Sequence, residues 1–224
     1  MGGLTRLLKK IIKRFYVRVY LFFVLKTLRI KVRIATTPSQ LNDAFSLRYE
    51  IYLDSGYIDP KDFPDQLFED KYDKHSINFI AYRKKEPIGI VRLVLPSEAG
   101  FPIEEYYNVM LPFKDDAVEV SRLAVDRDYR GDKRRAVIAL MRAAYYWSRK
   151  NNVSYWYMFM PEKLARSFED LAAKFYDLAQ KPLGEEQAEA RRSLKGYFKK
   201  TKAKPYMLNV EELTQEMHRL KIYW

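Results

Sequence analysis

Apolar residues recur at steps of three or four through Leu4, Leu8, Ile11, Phe15, Val19 and Phe22, which predicts a helix over residues 4–25. Leu4, Leu8, Ile11, Ile12, Phe15, Val19, Phe22 and Phe23 fall on one side of it, Arg6, Lys9, Lys10 and Lys13 on the other, and Arg18 at the edge of the stripe. The period then changes. Residues 31–36 alternate as a strand, and Thr37-Pro38 supplies a helix start with Pro in the first turn. Leu41, Ala44, Phe45, Leu47, Arg48, Ile51 and Tyr52 carry that helix to about Leu53. Residues 54–75, rich in Asp, Pro and aromatics, are too long for a simple connector. Two strands at 77–83 and 88–95, joined by Lys84-Lys85-Glu86-Pro87, predict a hairpin.

A second irregular stretch, 96–116, leads to a strand at 117–125 and a basic turn at 127–132. Ala136, Leu140, Ala143, Ala144 and Trp147 predict a helix ending at Asn151-Asn152, followed by a strand at 153–160 and a helix over 161–179 opened by Pro161. The tail holds a charged stretch at 184–192, a strand at 204–208 and a closing helix from Val210. This order predicts a mixed α/β domain. Strands 88–95 and 117–125 are expected to be antiparallel neighbours, and the strand-helix-strand unit 117–160 to be a right-handed crossover between parallel strands. The organisation is thus a basic amphipathic helix at 1–29 and a single domain at 30–224, with 181–224 as an extension that completes it.

Charge sharpens that division. The chain has 224 residues, 48% of them apolar, and a formal charge of +12. Residues 1–33 hold ten bases and no acid, so the remaining 31 bases nearly match the 29 acids. The excess is therefore an N-terminal property and does not point to nucleic acid. The longest unbroken apolar run there, Val19 to Leu25, falls well short of the ~20 residues a span requires. A small-residue cleavage site is lacking, and Arg6 stands where a myristoylation signal wants Ser or Thr. Two readings remain: a helix lying on an anionic bilayer, or one packed on its own domain with a solvated basic face. Without cysteine the chain has no disulfides, thiolate metal sites or Cys nucleophile, which fits a cytoplasmic protein, peripheral on the inner membrane face under the first reading and not secreted.

Phosphate-loop, dinucleotide, HExxH and GxSxG patterns are missing, and with only His75 and His218 no metal site is expected. What stands out is charge inside segments that otherwise look buried: Arg48 in the first domain helix, Arg92 in Ile-Val-Arg-Leu-Val, Glu119 and Arg122 in strand 117–125, and Asp70 and Asp73 closing the aromatic loop. Removing charges from water costs several kcal/mol each, so these six are expected to pair. By strand alternation Ser121 shares the side of Glu119, and Arg122 faces the other way with Val120 and Ala124. A purely structural network that ties the loop to the sheet is the competing account.

The string Glu119-Val-Ser-Arg-Leu-Ala-Val-Asp-Arg-Asp-Tyr-Arg-Gly resembles the fourth strand and following turn of GNAT-type N-acyltransferases. More narrowly it resembles the branch that holds acyl-homoserine lactone synthases and long-chain N-acyl amino acid synthases. Leu47-Arg48-Tyr49-Glu50-Ile51-Tyr52 resembles the first helix of that branch, Asp70-Lys-Tyr-Asp73 its paired-aspartate motif, and Gly89-Ile-Val-Arg92-Leu its third strand. Two departures matter. Lactone synthases usually have a Phe where Tyr52 stands and a Trp a few residues later, in a stretch where this chain has Leu53-Asp-Ser-Gly-Tyr-Ile and no Trp, which favours the N-acyl amino acid synthases. Lys133 and Arg135 replace the small residues of the usual coenzyme A turn after Arg130-Gly131.

The resemblance implies a GNAT-like, mainly antiparallel central sheet with splayed strands, flanked by helices. It implies transfer of a long-chain acyl group from the phosphopantetheine thioester of an acyl carrier protein or coenzyme A to an amino acid, with no acyl-enzyme and no permanently bound cofactor. Glu119 would act as base, Ser121 would reprotonate the thiolate, and backbone N–H groups at Leu123, Ala124 and Val125, where the strand of that family bulges, would face the oxyanion. Arg48, Tyr52, Asp70, Asp73, Arg92 and Arg122 would order the site or hold the acceptor. The cluster Arg127, Arg130, Lys133, Arg134 and Arg135 would meet the carrier's phosphate and acidic surface, or else form a solvated turn. Trp147, Tyr155, Trp156, Tyr157, Phe159 and Met160 are candidates for an acyl tunnel or for plain core. Lactone synthesis and a non-catalytic lipid-binding module are the alternatives.

Overall fold

A computed structural model describes residues 30–129, 133–169, 173–178 and 194–219. The basic helix predicted at 1–29 lies outside the described residues, as does the charged stretch 184–192. The elements are β1 (Ile30–Ile34), α1 (Pro38–Asp54), β2 (Ser76–Arg83), β3 (Glu86–Val94), α2 (Pro102–Tyr106), β4 (Ala117–Val125), α3 (Lys133–Lys150), β5 (Tyr155–Met160), α4 (Glu162–Glu169), β6 (Phe175–Asp177), α5 (Lys195–Thr201), β7 (Lys204–Asn209) and α6 (Val210–Arg219). Seven strands form one sheet in the order β1-β2-β3-β4-β5-β7-β6. Every neighbouring pair is antiparallel except β4 with β5, joined by the crossover through α3.

The local signals act as their chemistry dictates. Thr37 caps α1: its Oγ1 accepts from the Gln40 N–H at 3.3 Å, and the Gln40 Oε1 accepts from the Thr37 N–H at 3.2 Å. The buried stripe of α1, Ala44, Phe45, Leu47, Arg48, Tyr49 and Tyr52, packs on one face of the sheet. Ala136, Leu140 and Ala144 of α3, with Val210 and Met217 of α6, cover the other.

Three expectations are corrected. The helix expected over 161–179 stops at Glu169, and residues 175–177 instead form the edge strand β6. Phe175 pairs with Leu208 and packs edge-on against Phe168 and Tyr206, a gain that no continuing helix offers. The irregular stretch 96–116 contains α2, whose start is written in Phe101-Pro102 followed by Glu104; the Glu104 Oε2 accepts from the Phe101 N–H at 2.9 Å.

The third correction positions the site. Arg92 lies opposite Ser121 and Ile90 opposite Ala124, so Arg122 and Leu123 together face the single residue Val91. This is a bulge, and Arg122 takes a φ of 55° to form it. Strict alternation would send Arg122 to the α3 face; the bulge turns it to the face of Glu119, Ser121 and α1, where its guanidinium lies 4.6 Å from the Phe68 ring centre. The second strand feature is a splay. β4 and β5 pair only from Ala117↔Tyr155 to Glu119↔Tyr157, and from Val120 onward β4 has no strand neighbour on that side among the described residues.

Candidate active site

The bulge assembles a buried cluster of three guanidiniums and two carboxylates. Arg48, fully buried, donates to both oxygens of Asp73 at 2.9 and 3.1 Å, to Asn78 Oδ1 at 2.8 Å and to the Phe68 carbonyl at 3.0 Å. Arg92, also fully buried, reaches Asp70 Oδ1 at 2.6 Å and Asp73 Oδ2 at 3.0 Å, and its Nε donates to Ser121 Oγ at 3.0 Å. Arg122 closes the set on Asp70 Oδ2 at 2.7 Å. Burial alone would raise both aspartates, but Arg92 and Arg122 around Asp70, and Arg48 and Arg92 around Asp73, outweigh it and hold both well below the carboxylate range. The ionised cluster carries one positive charge in excess. Nε of Arg122 and Nη2 of Arg92 have no partner among the described residues.

Glu119 departs from the expectation that all six charges pair. It is fully buried, yet forms no ion pair among the described residues; its Oε2 accepts from the Ile103 N–H of α2 at 2.7 Å, and its Oε1 has no partner there. Burial pushes its carboxyl up to about 8, against the pull of the Ile103 hydrogen bond and of Arg92 and Arg122. The nearby Tyr72 hydroxyl is buried with no hydrogen-bond partner among the described residues, and burial, with the charge of Glu105 beside it, raises its pKa too.

A cavity, partly open to solvent, occupies the splay between β4 and β5. Its lining divides by sheet face. On the α1 face stand Tyr52, Ser121, Arg122, Phe159, Leu194 and Tyr197; on the α3 face stand Val120, Leu123, Met141, Met158, Met160, Leu164 and Phe168. Among these lining residues Arg122 alone is charged. The lining thus passes from a cationic, aromatic side on the α1 face to a hydrocarbon side on the α3 face.

The other expected residues distribute as follows. Tyr52, Ser121, Arg122 and Leu123 line the cavity; Glu119 does not, and neither do Ala124 and Val125, which pair with Ile90 and Gly89 of β3. Of the tunnel candidates Phe159 and Met160 line it, whereas Trp156 and Tyr157 are buried elsewhere in the core. In the basic turn, Arg127 is exposed and bonds Asp54 at the end of α1 at 2.9 Å, and Arg135 is exposed on the first turn of α3. Arg130 and Gly131 lie outside the described residues, as do the side chains of Lys133 and Arg134. Sequence reasoning missed Asn78, Ile103, Leu194 and Tyr197. Leu194 and Tyr197 reach the cavity because α5 docks on the loop after α1, with Lys200 Nζ donating to the Ser55 carbonyl at 2.8 Å. Among the described residues no group of His, Asp or Glu is placed to hold a metal, and no helix is long and apolar enough to cross a membrane.

The model of the family described as N-acyl amino acid synthase FeeM matches residues 43–186. No curated protein matches the chain. Among solved structures it is similar to a CoA-dependent acyl-homoserine lactone synthase, BjaI, with SAM and isopentyl-CoA, at 17% identity over 87% of this chain and 90% of that one, with a TM-score of 0.60. It is also similar to FeeM, an N-acyl amino acid synthase from uncultured soil microbes, at 13% identity, 87% and 98% coverage and a TM-score of 0.56. A putative N-acetyltransferase from Lactobacillus plantarum matches at 17% identity, 80% and 97% coverage and a TM-score of 0.52. At these identities the structural likeness is one of fold, and that fold is GNAT-like.

Proposed function

The chain belongs to the FeeM family of N-acyl amino acid synthases and is an acyltransferase, and from that premise we propose that it moves a long-chain acyl group from a phosphopantetheine thioester to the amine of an amino acid. The observation that carries this reading is the cavity through the splay. An N-acyl amino acid has one carboxylate and one long hydrocarbon tail, and the cavity offers one cation, Arg122, on one sheet face and apolar side chains on the other. The positive excess of the Arg48, Arg92, Arg122, Asp70 and Asp73 cluster favours the same anion, and the unpartnered Arg122 Nε is a donor for it.

The reaction needs a proton acceptor, an oxyanion site and a proton for the leaving sulfur. Glu119, with Oε1 free and a carboxyl pushed up to about 8, takes one proton from the acceptor's ammonium through a water reaching the cleft. The freed amine attacks the thioester carbonyl carbon. Backbone N–H groups of β4 beyond Glu119, released from strand pairing by the splay, stabilise the oxyanion. The carbon–sulfur bond then breaks; the thiolate takes its proton from Ser121, whose Oγ is oriented by the Arg92 Nε, and the second proton of the nitrogen passes to the serine oxygen and restores its hydroxyl, while Glu119 returns its proton to solvent.

Two further assignments complete the proposal. The phosphopantetheine carrier docks on the basic turn of Arg127, Arg130, Gly131, Lys133, Arg134 and Arg135, and residues 1–29 hold the enzyme on an anionic membrane surface where a lipid-like product partitions. The deciding experiment offers acyl carrier protein and coenzyme A thioesters with the proteinogenic amino acids as acceptors, and measures released thiol together with the product mass. The reading requires an N-acyl amino acid. Thiol release only with S-adenosylmethionine would replace it by lactone synthesis, and no release with any donor would end it. Deleting 1–29 should abolish sedimentation with anionic vesicles.

A further inference from the structure

A proton taken up by Glu119 must leave the protein before the next turnover, and the cleft is the wrong side for it to leave by. Glu119 is fully buried and does not line the cavity, and under the acyl-transfer reading the acceptor and the acyl chain occupy that side while the new bond forms. The way out is on the other side of the carboxyl, where α2 and the aromatic loop pack together.

At its buried end α2 holds Glu119 Oε2 through the Ile103 N–H at 2.7 Å. Two residues on, Glu105 carries a carboxylate that is 26% exposed and pairs with Lys71. Tyr72 follows Lys71, and its ring packs in one cluster with Phe101, Ile103 and Tyr106. Its N–H donates to Asp70 Oδ1 at 3.0 Å, and Lys71 Nζ lies 5.1 Å from its ring centre. The Tyr72 hydroxyl therefore stands between two carboxylates, one buried and one open to solvent. Burial and the charges of Glu105 and Glu119 keep it un-ionised, so it can pass a proton without holding a charge. Two oxygens in this packing, Glu119 Oε1 and the Tyr72 hydroxyl, have no partner among the described residues. Buried polar atoms are nearly always hydrogen-bonded to protein or to ordered water, and one water touching both would satisfy both. The other charges around Glu119 give no route: Arg92 and Arg122 accept no proton, and they hold Asp70 too far below the carboxylate range to keep one.

We propose that Tyr72 and Glu105 form the exit for the catalytic proton: Glu119 passes it through a bridging water to the Tyr72 oxygen as the hydroxyl's own proton moves to the Glu105 carboxylate, and from there to solvent. The inference rests on the acyl-transfer reading above with Glu119 as its base. The step balances. At the water and at Tyr72 one O–H bond forms as another breaks, Glu119 is again a carboxylate, Tyr72 again a neutral phenol, and Glu105 gives up the proton to bulk water. Tyr72 touches neither substrate and acts through Glu119, so it is a positioning residue for the proton.

The test mixes the full-length protein with excess acyl thioester and acceptor above pH 8, where Glu119 begins ionised, and follows thiol release from the first turnover into the steady state. Tyr72→Phe keeps the ring and removes the relay oxygen. Glu105→Gln removes the outer carboxylate from a partly exposed position and leaves the core alone. In both variants the first turnover should keep its wild-type rate, because Glu119 needs no exit to accept its first proton. Later turnovers should slow, so that the ratio of first-turnover to steady-state rate rises about tenfold or more. Glu105→Asp keeps a carboxylate and should recover most of the steady rate. Tyr157→Phe removes another unpartnered hydroxyl from the same cluster and should leave the ratio as in the wild type. A wild-type ratio in either Tyr72→Phe or Glu105→Gln, a first turnover slowed as much as the steady state, or the same rise in Tyr157→Phe overturns the proposal while the acyl-transfer reading stands. A wild-type protein that releases no thiol from any donor would instead remove the reading on which the proposal rests.

Discussion

Arg122 and Asp70 meet at 2.7 Å because a β-bulge turns the arginine to the face where the aspartate waits, 52 residues earlier in the chain. A non-glycine residue at a φ of 55° is strained by about 1–3 kcal/mol, and the ion pair is what holds it there. The same rotation places Arg122 in the lining of the cleft, so one backbone irregularity both locks the aromatic loop to the sheet and puts a cation on the cavity wall.

Asp70→Asn should therefore be costly. It removes the anion shared by Arg92 and Arg122 and leaves the three buried guanidiniums of the cluster with Asp73 as its one remaining carboxylate. Breaking a buried pair in this way costs about 3–5 kcal/mol. Urea denaturation at neutral pH should show a loss of that size; a loss below about 1 kcal/mol would mean that the cluster contributes little to folding.

Arg122→Lys keeps the charge and loses the planar fork. A lysine can still reach Asp70, but it has no Nε–H in the position that is unpartnered in the wild type. If that group holds the acceptor's carboxylate, the acceptor KM should rise about tenfold or more while the KM for the thioester stays the same. Equal changes in both would reduce Arg122 to a structural role.

The elements were largely legible because each carries its own punctuation: Pro38 and Thr37 start α1, Lys84 to Pro87 turn the hairpin, and Asn151-Asn152 stop α3. The charged residues that meet were legible as well, since burial forces them to pair. The bulge was legible only through the family resemblance, which puts one at Leu123 to Val125; alternation assigns Arg122 to the wrong face, and the register against Val91 places the extra residue at Arg122 and Leu123. Leu194 and Tyr197 were hidden, because their place at the cleft depends on a long-range contact between α5 and the loop after α1 and on no local pattern.

That contact supports its own prediction. A Cβ on Gly196 would lie 2.3 Å from the Gly56 carbonyl oxygen and 2.9 Å from Tyr57 backbone atoms, so α5 meets the loop backbone to backbone. Gly196→Ala should lift α5 off and withdraw Leu194 and Tyr197 from the cavity, at a cost of about 1–3 kcal/mol. Thermal unfolding should register the loss, the KM for the acyl donor should rise, and protease should cut faster at Lys195 to Lys200. An unchanged donor KM would show that α5 does not shape the cleft.

Glu119→Gln separates catalysis from stability through the sign of its pH dependence. The folded protein holds the Glu119 proton up to about 8, whereas an unfolded chain releases it near the ordinary value of 4.5. Between those limits the unfolded state binds fewer protons, so the contribution of this group to stability falls as pH rises, by about 1.4 kcal/mol per unit for a fully buried carboxyl, and levels off above the folded value. Glutamine reproduces the neutral form, with an oxygen still able to accept from the Ile103 N–H, and carries no such slope. Glu119→Gln should therefore match the wild type near pH 4.5 and exceed it in melting temperature at pH 8. Acyl transfer should move the other way: wild-type kcat rises with pH through about 8 as Glu119 becomes a base, and the glutamine variant loses about 10²–10⁴ in kcat with a flat profile. A variant that gains stability at pH 8 but keeps full turnover would leave Glu119 a buried neutral acid that caps α2, and the proton acceptor would have to be sought elsewhere in the cleft.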